Sequence, residues 1–229
     1  SIFSENPELN ISFIKMNRYI IDSYNKITYE GSFANKSKIN KKTLLKMYRI
    51  CDFTLSLIGL IFLSPIFVLI FFITFIDTGS PLFRQERIGR YENPFILVKF
   101  RTMQKNTASV ASHLADVNAI TNIGSFLRKT HLDELPQLIN VLKGDMSLVG
   151  PRPALFSQEK LRNERKLLGV YNVRPGITGL SQVSGLDTSM PELLAKTDAK
   201  MISSLTLVQY FKFIIATATG KGSGDAATR

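Results

Sequence analysis

The sequence predicts a mostly helical α/β protein in which a re-entrant membrane helix hairpin leads into a small cytosolic domain with amphipathic surface helices. Three observations carry that expectation. Residues 53–76 contain no charged side chain, and at about 1.5 Å per residue such a helix could cross a hydrocarbon layer about 30 Å thick. Ser64 and Pro65 interrupt the run midway, and both of its flanks are basic. Beyond it, apolar residues recur at helical spacing in several short segments, while residues 95–100 suit a strand.

A chain of 229 residues accommodates one domain with a real core and appendages, and is too short for two large domains. Its 29 basic against 18 acidic residues give a formal charge of +11. That excess calls for an anionic partner: a nucleic acid, a membrane surface or a phosphorylated substrate. Cys51 is the only cysteine, so an intrachain disulfide is impossible and the globular part is expected to face the cytosol. The first residues show no short apolar run followed by a small-residue cleavage site, so no secretory signal is expected.

Residues 1–43 form an N-terminal extension, polar and rich in Asn, Lys and Ser. Its composition leaves two readings open, a partner-binding disordered segment and a helix packed on the main domain. Residues 44–80 form the membrane hairpin. Lys41, Lys42, Lys46 and Arg49 precede the apolar run and Arg84, Arg87 and Arg90 follow it; basic flanks prefer the cytoplasmic side, and here both ends carry that preference. Pro65 removes a helix donor and clashes with the preceding turn, and the Ser64 hydroxyl can take up a freed carbonyl, so a sharp bend is expected. A helix that enters, turns and leaves by one face meets both constraints; the competing reading is a kinked spanning helix.

Residues 81–204 make the catalytic domain. In the expected strand, Lys99 and Arg101 flank Phe100 and point away from it. Residues 108–120 suit a short helix or a mobile loop. His113 and His131 lack paired ligand spacing, so no zinc site is expected, and no Gly-rich nucleotide loop is present. Residues 157–168 read as a charged amphipathic helix whose Lys160, Arg162, Arg165 and Lys166 mostly form a solvated face. Arg174-Pro175-Gly176 opens a turn-rich stretch to Gly185 that can offer backbone donors and a guanidinium to a diphosphate. In residues 205–229, Leu205, Leu207, Val208, Phe211, Phe213, Ile214 and Ile215 make an apolar helix too short to span, suited to a bilayer surface or to folding back; a tail flexible by composition follows from residue 220.

Residues 128–153 concentrate the chemistry. Thr130 with Asp133 fits a capping pattern that opens a helix, Leu135, Leu138, Ile139 and Leu142 continue it, and Lys143-Gly144 closes it. Asp133 and Glu134 would then sit in the first turn, between Arg128 upstream and Arg152 downstream. Two carboxylates framed by two arginines suit metal-assisted phosphoryl transfer: the acids hold Mg²⁺ or attack phosphorus, and the guanidinium forks hold phosphate oxygens. Acids in a first turn also serve merely to complement the helix dipole. Pro136 and the stiff Gly150-Pro151-Arg152-Pro153 run favour fixed geometry and hence the chemical reading.

This segment, with Leu132-Asp133-Glu134-Leu135-Pro136-Gln137-Leu138 and Gly144-Asp145-Met146-Ser147-Leu148-Val149-Gly150-Pro151-Arg152-Pro153, resembles the core motif of the bacterial sugar transferase family, the monotopic polyprenyl-phosphate phosphoglycosyl transferases. The likeness extends to Ser64-Pro65, to residues 83–89, 99–103 and 174–180. It implies a re-entrant helix broken at Ser64-Pro65, at the cytoplasmic face of a bacterial inner membrane. It implies transfer of a sugar-1-phosphate from a UDP-sugar to polyprenyl (undecaprenyl) phosphate, initiating surface glycan or glycoconjugate synthesis, with Mg²⁺ as cofactor. By that analogy Asp133 is the nucleophile, Glu134 ligates the metal with Asp133 or positions the second phosphate, and a homodimer is allowed. Lys99, Arg101, Arg128, Gln137, Arg152, Arg174 and Gln182 are the substrate-binding candidates. The family pattern has an arginine where this chain has Leu186, so no sugar or phosphate contact is carried to that position. An N-acetylated amino sugar is the expected donor group. The non-enzymatic alternative is a basic membrane-surface adaptor, which explains the charge and hydrophobicity but not the ordered acids and arginines. Nucleic acid is not an expected partner, because the basic residues follow no binding motif and no aromatic platform for RNA is present.

Overall fold

The computed structural model describes residues 41–105, 107 and 117–220. The N-terminal extension up to residue 40, residues 108–116 with His113, and the tail from residue 221 lie outside the described residues. What is described is mostly helical with two small sheets.

Two helices, α1 (Lys41–Phe62) and α2 (Ser64–Thr78), stand where the hairpin was expected and are bent by 66° at Leu63. The cause is local. Pro65 has no N–H for the carbonyl of Ile61, four residues back, and the Ser64 hydroxyl donates to that carbonyl instead at 2.8 Å. The ladder is intact on both sides, with Leu63 N–H on Gly59 O at 2.9 Å and Phe67 N–H on Leu63 O at 2.8 Å. No single described helix is long and apolar enough to cross a membrane, whereas the bent pair together is. Its outer surface is apolar and exposed, through Ile50, Phe53, Ile61, Phe62, Leu69 and Ile76.

The inner stripe of α1 is Tyr48, Asp52 and Ser56, spaced by four and all buried. Asp52 Oδ1 accepts hydrogen bonds from Ser147 Oγ at 2.9 Å, Leu148 N–H at 2.8 Å and Tyr210 OH at 2.7 Å. A buried carboxylate is tolerated only when so satisfied, and these bonds tie the hairpin to both the globular part and the C-terminal helix. On α2, Ile70 packs with Phe100 and Leu127, and the ring of Phe67 lies 4.9 Å from that of Phe100.

Gly79, left-handed at φ 69°, ends α2. Strand β1 (Leu82–Ile88) then pairs antiparallel with β2 (Pro94–Phe100), Arg87 opposite Phe95 and Phe83 opposite Lys99. Only the second strand was expected: β1 carries charges at Arg84, Glu86 and Arg87, which mask its alternation. Helices α3 (Asn122–Lys129) and α4 (Gln137–Lys143) follow, and β3 (Ser147–Val149) pairs in parallel with β4 (Gly176–Thr178). Between those strands lies α5 (Glu159–Leu167); after them come α6 (Leu180–Val183), α7 (Pro191–Ser204) and α8 (Leu207–Ala218).

The core joins Ile88, Ala154, Leu161, Tyr171, Leu186, Leu194 and Ala195. Leu186 is thus a core residue. Helix α8 opens with a reciprocal capping box between Thr206 and Gln209 and buries Tyr210 and Phe213, while Val208 and Ile215 stay more than 60% exposed. It folds back onto the domain and also presents an apolar outer face.

Candidate active site

The acidic pair does not stand in the first turn of an α-helix. Helix α3 runs on to Lys129, and Thr130 closes it, its hydroxyl donating back to Phe126 O at 2.9 Å, instead of opening the next helix. His131 then takes a left-handed conformation, φ 58°, and residues Leu132–Glu134 form a 3-10 turn. Pro136, lacking an N–H, separates that turn from α4. The Thr130–Asp133 spacing therefore spans a chain reversal. Asp133 is 2% exposed and Glu134 7% exposed.

Glu134 lines a shallow cleft, together with Arg87, Leu97, Lys99, Gln137, Arg152, Pro153, Gly176 and Ile177. Arg87, Lys99 and Arg152 face one carboxylate there, so the cleft is cationic. Arg152 Nη2 lies 3.4 Å from Glu134 Oε1. Of the nine polar residues singled out from the sequence, Lys99, Glu134, Gln137 and Arg152 meet in this cleft. Asp133 adjoins it through the backbone of Glu134 without being one of its lining residues.

The others do different work. Arg101 Nε donates to Ser80 O at 3.0 Å and its guanidinium sits 5.5 Å over the Phe83 ring, pinning the junction of α2 and β1. Arg128 is buried, with Nε on Thr102 Oγ1 at 2.9 Å. Arg174 Nε donates to Gly144 O at 2.7 Å. Gln182 is buried and donates from Nε2 to Gly150 O at 3.2 Å, beneath the β3–β4 pairing.

The loop carrying Arg152 is fixed by its backbone. Four consecutive carbonyls accept hydrogen bonds from three elements: Pro151 O from Gly176 N–H at 2.9 Å, Arg152 O from Arg165 Nη1 at 2.7 Å, and, from β1, Pro153 O from Arg87 Nη1 at 3.0 Å and Ala154 O from Ile88 N–H at 3.0 Å. Gly150 and Gly176 permit this approach, since a Cβ on Gly176 would overlap the Gly150 backbone. Arg165 is not on a solvated face. It is 2% exposed, with Nε and Nη2 on Asp198 Oδ2 at 3.0 and 2.6 Å, and Ser181 Oγ donates to Asp198 Oδ1 at 2.6 Å. Helical periodicity around Leu161 could have placed Arg165 on the inner face, four residues on. Its partner Asp198, far along the chain, gave no signal.

Arg87 is the cleft residue that sequence reasoning did not single out. Its Nε and Nη2 hold Gln85 Oε1 at 2.9 and 2.5 Å, and it alternates with Gln85 along one face of β1. Behind the Arg152 loop is a second hollow, walled by Ile88, Pro151, Tyr171, Val173 and Pro175. Burial pushes the Tyr171 phenol above its ordinary value, and the charge of Arg165 opposes part of that rise.

For a divalent cation the candidate donors are the carboxylates of Asp133 and Glu134, adjacent in sequence; among the described residues no group of three His, Cys, Asp or Glu gathers. Two hard oxygen donors fit Mg²⁺ of the kind whose remaining ligands are substrate phosphates and waters. They do not suit a zinc or calcium cage.

Comparison with known proteins gives one family match, to the bacterial sugar transferase model, over residues 43–221. An uncharacterized sugar transferase of Haemophilus influenzae is 39% identical, over 66% of this chain and 35% of its own length. The UDP-glucose:undecaprenyl-phosphate glucose-1-phosphate transferase of Caulobacter vibrioides is 38% identical, over 65% of this chain and 59% of its own. The undecaprenyl-phosphate galactose phosphotransferase of Salmonella typhimurium is 33% identical, over 80% of this chain and 42% of its own. The chain thus spans about a third to three fifths of the length of these relatives.

Proposed function

Because the chain belongs to the bacterial sugar transferase family, we propose that its cationic cleft transfers a sugar-1-phosphate from a UDP-sugar to polyprenyl phosphate at a membrane surface. The observation that carries this reading is the cleft itself, in which Arg87, Lys99 and Arg152 surround Glu134 beside Asp133. Three cations on fixed backbone suit a diphosphate, and an acidic pair suits attack at phosphorus. The names of the relatives support the substrates.

In this reading an Asp133 carboxylate oxygen attacks the phosphorus that bears the sugar, and the bond from that phosphorus to the UMP oxygen breaks. UMP leaves with the bonding electron pair. A phosphate oxygen of the polyprenyl phosphate then attacks the same phosphorus, the Asp133 oxygen departs as carboxylate, and the lipid carries the sugar diphosphate. Splitting the transfer avoids a direct meeting of two anionic substrates. Arg152 holds phosphate oxygens with its planar fork, and Lys99 and Arg87 balance charge on the opposite wall. Asp133 and Glu134 would hold Mg²⁺, which supplies charge neutralisation to the diphosphate when bound.

The bent pair α1–α2 is the membrane seat, entering and leaving by the cytoplasmic face. Its apolar outer surface and its basic flanks support that placement.

The test is UMP release from a panel of UDP-sugars by the purified full chain, with and without polyprenyl phosphate. Release from one donor in proportion to lipid product supports transfer. No release from any nucleotide sugar, with the chain folded and lipid present, would favour a membrane-surface adaptor.

A further inference from the structure

Outside the cleft, Arg49 and Arg174 meet at Gly144, and Arg90 stands near enough to Arg174 to repel its charge. Arg49 reaches from α1 to the end of α4, donating from Nη1 to Val141 O at 2.6 Å and from Nη2 to Leu142 O at 3.0 Å. Arg174 donates to Gly144 O, and a Cβ on Gly144 would stand 3.5 Å from Arg49 Nη2, so two guanidinium groups share one glycine. Arg90 Nε holds Asn172 O at 2.9 Å, two residues before Arg174, with its guanidinium 4.4 Å from the Tyr91 ring centroid.

None of the three has a carboxylate at ion-pair distance among the described residues; their hydrogen-bond acceptors are neutral carbonyls. Burial, and then the repulsion of Arg49 and Arg90, pull the Arg174 guanidinium below its ordinary value, with Asp52 offsetting part of the shift. A guanidinium has five N–H donors, and the carbonyls use one or two from each group. Among the described residues the cluster therefore keeps donors, and positive charge that Asp52 offsets only in part, for an anion.

Its position narrows the anion. Arg49 stands on α1 between exposed Leu45, Ile50 and Phe53, where the helix begins its uncharged run. A cationic group bordering an apolar surface suits a phosphate attached to an apolar tail better than a soluble one. We propose that Arg49, Arg90 and Arg174 form a binding site for the phosphate of a membrane lipid, distinct from the catalytic cleft. The site draws on the membrane seat described above and not on the transfer chemistry. Two sources share its ligand chemistry, an anionic phospholipid and polyprenyl phosphate.

Native mass spectrometry of the detergent-solubilised full chain tests this without turnover. Phosphatidylglycerol, polyprenyl phosphate and the phosphate-free control diacylglycerol are titrated separately. At least one phosphate-bearing lipid should bind at least tenfold more tightly than diacylglycerol, and the tighter of the two identifies the source. Arg49→Gln with Arg174→Gln should weaken that binding about tenfold. Because those two side chains also close α4, Arg90→Gln, which gives up one exposed carbonyl contact, should weaken it several-fold in a protein of unchanged melting temperature. Lys160→Gln with Lys166→Gln, on the outer face of α5, should have no effect. Unchanged affinity in both arginine variants, equal loss in the lysine variant, or displacement of the lipid by UDP would each overturn the proposal.

Discussion

Arg152 stands on a backbone already held at four successive carbonyls, so in the proposed reaction little ordering would remain when phosphate binds. What it contributes is then the geometry of the guanidinium, and Arg152→Lys should lower kcat/KM about ten- to a hundredfold, the worth of a charged hydrogen bond or two. Steady-state kinetics with a saturating lipid acceptor checks this; near-normal turnover would reassign Arg152 to structure. At this scale the motif was legible because Asp133, Glu134 and Arg152 belong to a dense run of residue types that phosphoryl chemistry uses. Which arginines face the cleft was not. Arg101, Arg128 and Arg174 look equivalent to Arg152 in sequence, yet none lines the cleft, and each donates to an oxygen elsewhere: Ser80 O, Thr102 Oγ1 and Gly144 O respectively.

The elements behind the cleft are coupled through buried charge. Arg165 of α5, Asp198 of α7 and Ser181 of α6 form one network whose free end holds the Arg152 carbonyl. Asp198→Asn leaves the Arg165 charge without its counter-ion and should cost about 3–5 kcal/mol of stability, measured by denaturant unfolding in detergent. Ser181→Ala, which removes only a hydroxyl from Asp198, should cost about 1–2 kcal/mol while leaving the cleft residues unchanged. The helices α5 and α8 were legible from periodicity. The 3-10 turn at Leu132–Glu134 was not, because Thr130 satisfies the pattern of a cap for the helix after it while actually ending the one before. Strand β1 was hidden because its charges mask its alternation: Arg84 and Glu86 stay exposed while the strand pairs with β2, and Arg87 turns to the Pro153 carbonyl.

Tyr210 joins α8 to the hairpin through Asp52, with its ring stacked 5.2 Å from that of Tyr48. Burial first, and then the Asp52 carboxylate, hold the Tyr210 phenol well above its ordinary value. The folded state therefore favours the protonated phenol. Its contribution is fully present below the unfolded value, about pH 10, and is lost as pH rises beyond it. Tyr210→Phe should cost about 1–3 kcal/mol near neutral pH by removing one donor from a buried carboxylate. The same variant should flatten the fall in stability between about pH 10 and pH 11, followed by thermal melting at each pH.

For the whole molecule, the decisive feature is that Ser64 repairs the carbonyl that Pro65 leaves open, which makes a 66° bend chemically comfortable between two apolar helices. With both flanks basic, cysteines at Lys42 and Arg90, in a background lacking Cys51, should be labelled from the same side of the membrane. Labelling from opposite sides would establish a spanning segment. The bent helix pair was legible in the sequence because its apolar length and its Ser-Pro break are both local. Its attachment through Asp52 was not, since Ser147, Leu148 and Tyr210 lie 95–158 residues away.

The central claim, transfer through the acidic pair, is tested most directly by incubating the chain with a UDP-sugar labelled at the β-phosphate and no lipid, then isolating the protein. The account predicts protein-bound label that Asp133→Asn abolishes, that Glu134→Gln retains at a slower rate, and that added polyprenyl phosphate discharges to lipid. Absence of label in the wild-type chain, with UMP appearing only when the lipid is supplied, would contradict it and establish direct attack by the lipid phosphate; label lost in Glu134→Gln but kept in Asp133→Asn would move the attack to the carboxylate that lines the cleft.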